Sequence, residues 1–158
     1  MSARQSKNIS AAAQPSVSRR SLSLLIAAAL LALVGLADTI YLTVKHFTGG
    51  IVPCSLTGGC EQVLNSPYST ILGVPLAGVG AFAYFCAFSL ATLAIFGNQL
   101  ARTLLFSLVG LMLIFSIWLF IVQAFMLHAF CQFCLLSAAT TLLLAVTVAA
   151  ERFWLNRK

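Results

Sequence analysis

Phe130-Cys131-Gln132-Phe133-Cys134 runs without a break into Leu135–Ala150, and residues 130–150 contain no charged side chain. A helix of about 20 apolar residues matches the ~30 Å hydrocarbon core of a bilayer. The stretch therefore reads as a membrane span with a dithiol pair at its head. Three more stretches of that kind lie upstream. They are Leu22–Val44, interrupted only by Asp38 near its end, then Val74–Phe96 and Thr103–Leu127. Backbone polar groups in lipid must be satisfied within their own segment, so all four spans are expected to be helical. The period-two alternation of a membrane β-barrel is absent. The 158 residues are 61% hydrophobic and 8% charged, too few charges to solvate a soluble domain of this size. The expected fold is an all-α integral membrane protein, a four-transmembrane-helix bundle with a long non-cytoplasmic loop between helices one and two. Residues 1–21 read as a disordered basic cytoplasmic tail, 22–152 as the membrane domain and 153–158 as a basic cytoplasmic C-terminal tail.

Charge sets the expected orientation. Arg4, Lys7, Arg19 and Arg20 precede the first span, Arg102 lies in the link between spans two and three, and Arg152, Arg157 and Lys158 follow span four. With an even number of spans these share one side, leaving Lys45 alone on the other, a positive-inside pattern with both termini cytoplasmic. The 45–73 loop and the turn at His128 then face the periplasm, a lumen or the exterior. The net charge of +6 sits in tails flanking helices, so it points to an anionic leaflet rather than to nucleic acid. The tail Met1–Ser21 has the composition of a transit peptide as well as of a disordered tail, and the reading preferred is the tail. The first apolar stretch is too long for a signal-peptide core.

This topology puts two cysteine pairs on the oxidising side, where disulfides form and persist. In Cys54-Ser55-Leu56-Thr57-Gly58-Gly59-Cys60 the small residues allow a disulfide to close and reopen. The segment 61–64 suits a short amphipathic helix, stopped by Asn65-Ser66-Pro67. Cys131 and Cys134, three apart at a helix start, share a face, and the helix N-terminus favours the thiolate of the first. Other readings of these pairs are a static brace for Cys54/Cys60 and a zinc site formed by all four cysteines. Cys86, mid-span, reads as packing. Asp38 is either functional, as intramembrane carboxylates tend to be, or a hydrogen-bond acceptor near the interface. His128 is either a cation near Cys131 or an interfacial residue. Gly73, Ala77, Gly78, Gly80, Ala81 and Ala83 suit close helix packing. Phe115, Trp118, Phe120, Phe125 and Phe133 can line a quinone pocket or simply pack. A membrane-dissolved quinone is the acceptor that suits a dithiol at a helix end, being a stronger oxidant than typical protein dithiols.

The order of these parts resembles the vitamin K epoxide reductase family in its prokaryotic-type form without a fused thioredoxin-like domain. The resemblance rests on the loop pair, on Asn65-Ser66-Pro67-Tyr68-Ser69-Thr70-Ile71-Leu72-Gly73-Val74-Pro75-Leu76, on Cys131-Gln132-Phe133-Cys134 and on Gly35-Leu36-Ala37-Asp38-Thr39-Ile40-Tyr41-Leu42-Thr43. It covers roughly residues 22–152. The DsbB-type oxidases carry the two pairs in the reverse order. The resemblance implies a four-helix bundle around a quinone, acting as a quinone-dependent thiol–disulfide oxidoreductase that reoxidises a thioredoxin-like (DsbA-type) partner. Cys54 would meet the partner, Cys60 would exchange with Cys131, and Cys134 would face the quinone. Ser66 matches a family serine close to the active site, and Ser66, Phe133 and Ala138 are the expected quinone neighbours. The animal enzymes carry a tyrosine at the position of Ala138 and an asparagine whose nearest counterpart is Ser69. Their absence speaks against vitamin K epoxide and for ubiquinone or menaquinone. The chain ending at Lys158 implies a separate partner protein, and the expected location is the plasma (inner) membrane or a thylakoid membrane. The competing functional class is a membrane scaffold or assembly factor with structural or metal-binding cysteines.

Overall fold

The computed structural model describes residues 19–49, 52, 59–64, 66, 69–71 and 74–156. Its elements run α1 (Arg19–Thr48), α2 (Cys60–Leu64), β1 (Thr70–Ile71), β2 (Val74–Pro75), α3 (Leu76–Ile95), α4 (Gln99–Ile121), a π-helical turn (Val122–Leu127) and α5 (Gln132–Asn156). Among the described residues four helices, α1, α3, α4 with its π-turn, and α5, are long and apolar enough to cross a membrane.

The spans differ from their sequence limits at the ends, where local chemistry rather than hydropathy decides. At 30 residues, α1 is about 45 Å long at ~1.5 Å per residue, and extends beyond Leu22 and Val44. Gly49 stops it, adopting the left-handed conformation (φ 61°) of a helix-terminating glycine. Asp38 consequently lies deeper in the helix than the apolar limits implied. Span two starts at Leu76 because Val74–Pro75 pairs antiparallel with Thr70–Ile71, a ladder too short to leave any period in the sequence. Gly97 (φ 87°) turns the chain after α3, and Asn98 caps α4 by accepting from the amides of Leu100 at 3.0 Å and Ala101 at 3.2 Å. Arg102 therefore belongs to the first turns of α4 rather than to the link. The short helix expected over 61–64 is present as α2. The stop proposed at Asn65 and Pro67 lies outside the described residues.

α1 packs against α3 and α5, and α4 packs against the same two helices. The seam is built on small residues, with Ala28 and Ala32 of α1 against Ala87, Ala91 and Ala94 of α3, and Leu105 and Leu144 closing the centre. Helices in lipid gain little from hydrophobicity when they associate, so close backbone approach through alanine and glycine supplies the attraction. Gly80 serves this contact, because a Cβ there would meet Thr39 Cγ2 at 3.2 Å. Large apolar side chains such as Phe82, Ile114 and Val146 point outward, where lipid is the solvent.

The two ends of the bundle differ. At one, Arg20 lies over Trp154 and Arg152 over Phe106, an interfacial pairing of cation and aromatic ring. The other carries Lys45, α2, the π-turn and the head of α5.

Candidate thiol site and adjoining cavity

Cys131 sits just before α5 and caps it. Its carbonyl accepts the first helical bond, from the Leu135 amide at 3.0 Å, and its sulfur accepts from the Cys134 amide at 3.4 Å. A sulfur in that position faces the unsatisfied amides of the helix start, where negative charge is favoured. The Cys131 thiol is lowered to about 7 by its hydrogen bond with the Cys134 side chain, helped by the amides of Cys134 and Phe133 and opposed by burial. The expected thiolate preference of the first cysteine thus has a physical basis, although Cys131 caps the helix rather than lying within it.

The approach to Cys131 is shaped by the π-turn. In Val122–Leu127 the backbone widens to i→i+5 bonding, a distortion frequent at functional sites. The turn ends at His128 (φ 47°), whose amide bonds to the Gln123 carbonyl, and the Ala129 amide reaches the same oxygen at 3.3 Å. Gln123, itself buried, turns its side chain back so that Oε1 accepts from the Cys131 amide at 3.0 Å. His128 is exposed and acts through its backbone conformation.

Cys60 opens α2, is fully buried and is disulfide-bonded. Cys131 and Cys134 are free thiols. Cys60 and Cys131 share a buried cluster with Leu42 and Val52, against which Cys134, Phe133 and Val63 pack. Backbone contact makes this possible. A Cβ at Gly59 would stand 3.0 Å from both the nitrogen and the oxygen of Phe130, so the loop seats against the α5 lead-in only because residue 59 is glycine. Gln62 Nε2 donates to the Leu127 carbonyl at 3.2 Å and fixes α2 to the end of the π-turn. Cys54 lies outside the described residues.

Cys134 opens on a cavity of about 310 Å³ between α1, α3, α4 and α5. Leu108, Leu111, Met112, Phe115, Leu119 and Phe120 form its apolar wall, and Ser66, Gln123 and Ala138 also line it. Its polar side is a hydroxyl chain. Tyr84 Oη donates to the Ser137 carbonyl at 2.8 Å and lies 3.1 Å from Ser137 Oγ and 2.7 Å from Thr141 Oγ1. Volume, apolar walls and a few convergent polar groups are what a small-molecule site requires. Those walls and hydroxyls suit a flat, weakly polar ring such as that of a quinone.

Of the expected quinone neighbours, Ser66 and Ala138 line the cavity, with the Ser66 hydroxyl donating to the Val63 carbonyl at 2.7 Å. Phe133 does not line it, since its ring packs on Tyr41 with centroids 5.3 Å apart. Phe115 and Phe120 line it, while Trp118 and Phe125 face outward. Tyr84, Gln123, Ser137 and Thr141 join the site without a motif to announce them. The one signal for Tyr84 is a hydroxyl-bearing aromatic in an otherwise apolar span, which needs a buried partner.

The sequence profile of the vitamin K epoxide reductase family matches residues 26–149. The thiol-disulfide oxidoreductase LTO1 of Arabidopsis thaliana is 46% identical over 48 residues, which make up 30% of this chain and 13% of that protein. The matched segment thus spans only a small part of that protein's length.

Proposed function

The chain belongs to the vitamin K epoxide reductase family, and from that membership we propose that it is a quinone-dependent thiol–disulfide oxidoreductase. Its electron donor is a thioredoxin-like protein or domain of the DsbA type. The observation that carries this reading is the burial of Cys60 beside Cys131, with Cys134 one turn further on and open to the cavity.

The relay follows from thiol chemistry. The partner's dithiol reduces the Cys54–Cys60 disulfide and leaves as a disulfide. The freed Cys60 sulfur attacks Cys131 of an oxidised Cys131–Cys134 pair, and Cys54 resolves the mixed disulfide, so that two electrons end on the inner dithiol. A disulfide at Cys60 beside free Cys131 and Cys134 corresponds to that loaded state. The low Cys131 pKa makes its thiolate a good leaving group in this exchange. Cys134 and the hydroxyls of Tyr84, Ser137 and Thr141 would hold the acceptor's head, and the apolar walls exclude water from it. A bound quinone supplies a sink for two electrons and two protons. Ubiquinone or menaquinone is favoured by the alanine at 138 and the serine at 69.

The orientation proposed keeps both termini cytoplasmic and the thiols on the periplasmic or lumenal side. It is supported by the cluster of Arg20, Arg102 and Arg152 at the end opposite the cysteines. The decisive assay is reduction of a short-chain quinone by purified protein supplied with a reduced thioredoxin-like donor. Cys134→Ala should abolish it. Cys54→Ala should block supply from the protein donor while leaving reduction driven by a small dithiol. Normal turnover in both variants would sink the proposal.

A further inference from the structure

Asp38 is the group that the relay leaves unused. It is nine-tenths buried two-thirds of the way along α1, and among the described residues its Oδ2 has no hydrogen-bond partner. One helical turn earlier, Gly35 is pressed directly against Cε1 and Cζ of the Tyr84 ring, the end that bears the hydroxyl. The carboxyl lies within electrostatic reach of Tyr84 from α3 and of Cys131 and Cys134 from the head of α5. Glu151, the other acid on the helices packed against α1, is bonded to Ser21 at the far end. On α1 itself the neighbouring titratable groups are Tyr41, Lys45 and His46, with the Lys45 ammonium over the Tyr41 ring and His46 two turns on, lining the mouth of the cavity. An unpaired carboxylate is costly at such a depth, and intramembrane acids commonly serve in proton relays.

Proton balance gives this carboxyl a task, on the premise that the acceptor is a quinone as proposed above. The inner pair, as Cys131 thiolate and Cys134 thiol, becomes a disulfide by giving up two electrons and one proton. Reduction of a quinone to a quinol takes up two electrons and two protons. One proton is missing, and the hydroxyl chain from Tyr84 to Ser137 and Thr141 already borders the cavity. We propose that Asp38 holds a proton as the neutral acid and delivers it through the Tyr84 hydroxyl into the cavity, becoming a carboxylate that is reprotonated before the next turnover. Asp38 acts through Tyr84 and is a proton reservoir, not a group that touches the acceptor.

The test uses the full chain in lipid nanodiscs, with a short-chain ubiquinone as acceptor and dithiothreitol as donor. Infrared spectra of the acceptor-free protein should contain a protonated-carboxyl band that shifts in D2O and disappears in Asp38→Asn. Single-turnover quinone reduction by Asp38→Asn should match the wild type below pH 7, where Cys131 keeps its own proton. At pH 8 it should fall behind by on the order of 10²-fold, the usual worth of a positioned proton donor. Tyr84→Phe also loses a hydroxyl at the acceptor's head, so it should be slower than the wild type at every pH. It should lose a further factor of the same size between pH 6 and pH 8, a fall that adding Asp38→Asn should not steepen. Loss of the band together with a rate deficit equal at every pH would assign Asp38 to packing and overturn the inference. So would a wild-type protein without the band. A wild-type protein that shows the band but reduces no quinone would overturn the functional reading instead, and this inference with it.

Discussion

Cys131 is held on three sides, and each hold has a consequence that can be measured. Its amide is taken by Gln123, its carbonyl by the first turn of α5, and its sulfur by the thiol and amide of Cys134. Donors to a sulfur stabilise the thiolate, so Cys131 ionises near pH 7, below the ~8.5 of a free cysteine. Cys134→Ala deletes the largest of these donors. The thiolate absorbance of Cys131, recorded as a difference spectrum against Cys131→Ala, should then rise at distinctly higher pH than in the wild type. An unchanged midpoint would mean that the helix amides alone set it. Gln123→Leu removes the acceptor and strands a buried N–H, which costs about 1–3 kcal/mol. Gln123→Glu keeps an acceptor oxygen and should unfold at a temperature closer to the wild type in the same detergent.

At the scale of elements, the α1–α3 contact positions the cavity's hydroxyl chain. Tyr84 reaches Ser137 and Thr141 of α5 only because Gly35 leaves room for its ring. Gly35→Ala places a methyl group inside that ring's volume, so Tyr84 must swing away and release both partners. Overpacking of this kind costs about 1–3 kcal/mol. Thermal unfolding should register it, and Gly80→Ala, with only Thr39 Cγ2 at 3.2 Å to displace, should cost less. Much of the arrangement around this contact is legible in the residue order. Lipid demands length and apolarity, so the four spans and the dithiol at the head of the last announce themselves. The rest depends on closures that leave no local trace. Gln123 is eight residues from the amide it caps and reaches it only through the π-turn. Tyr84 finds its partners 53 and 57 residues away. Phe133, placed beside Cys134 in sequence, turns to Tyr41 because successive residues on a helix face different sides.

Across the whole molecule the two ends are built for different tasks. The thiol end combines a π-turn, a two-residue ladder and a five-residue helix, all short elements that can yield during exchange. The opposite end is clamped. Arg102 Nη1 meets Glu151 Oε1 at 3.1 Å with both side chains about 95% buried (6% and 5% exposed), and Ser21 donates to the same oxygen at 2.7 Å. Arg102 Nη2 adds the Ala94 carbonyl at 3.5 Å, which joins α1, the end of α3, α4 and α5 in one network. The sequence counts Arg102 among the charges of an aqueous link, yet its worth here is tertiary. Removing one partner of a buried pair leaves the other charged and unsolvated, at a cost of about 3–5 kcal/mol, while replacing both by apolar residues of similar size is often neutral. Arg102→Met and Glu151→Leu should therefore each lower the unfolding midpoint sharply, and the double variant should recover most of the loss. Arg102 Nε, buried without a partner among the described residues, makes that recovery more complete because its desolvation cost also disappears. The Cys131 thiolate titration should be unmoved in all three variants, since the clamp lies at the other end of the bundle. Strictly additive losses in the double variant would show that each side chain acts alone and that the four helices are held by their alanine seam.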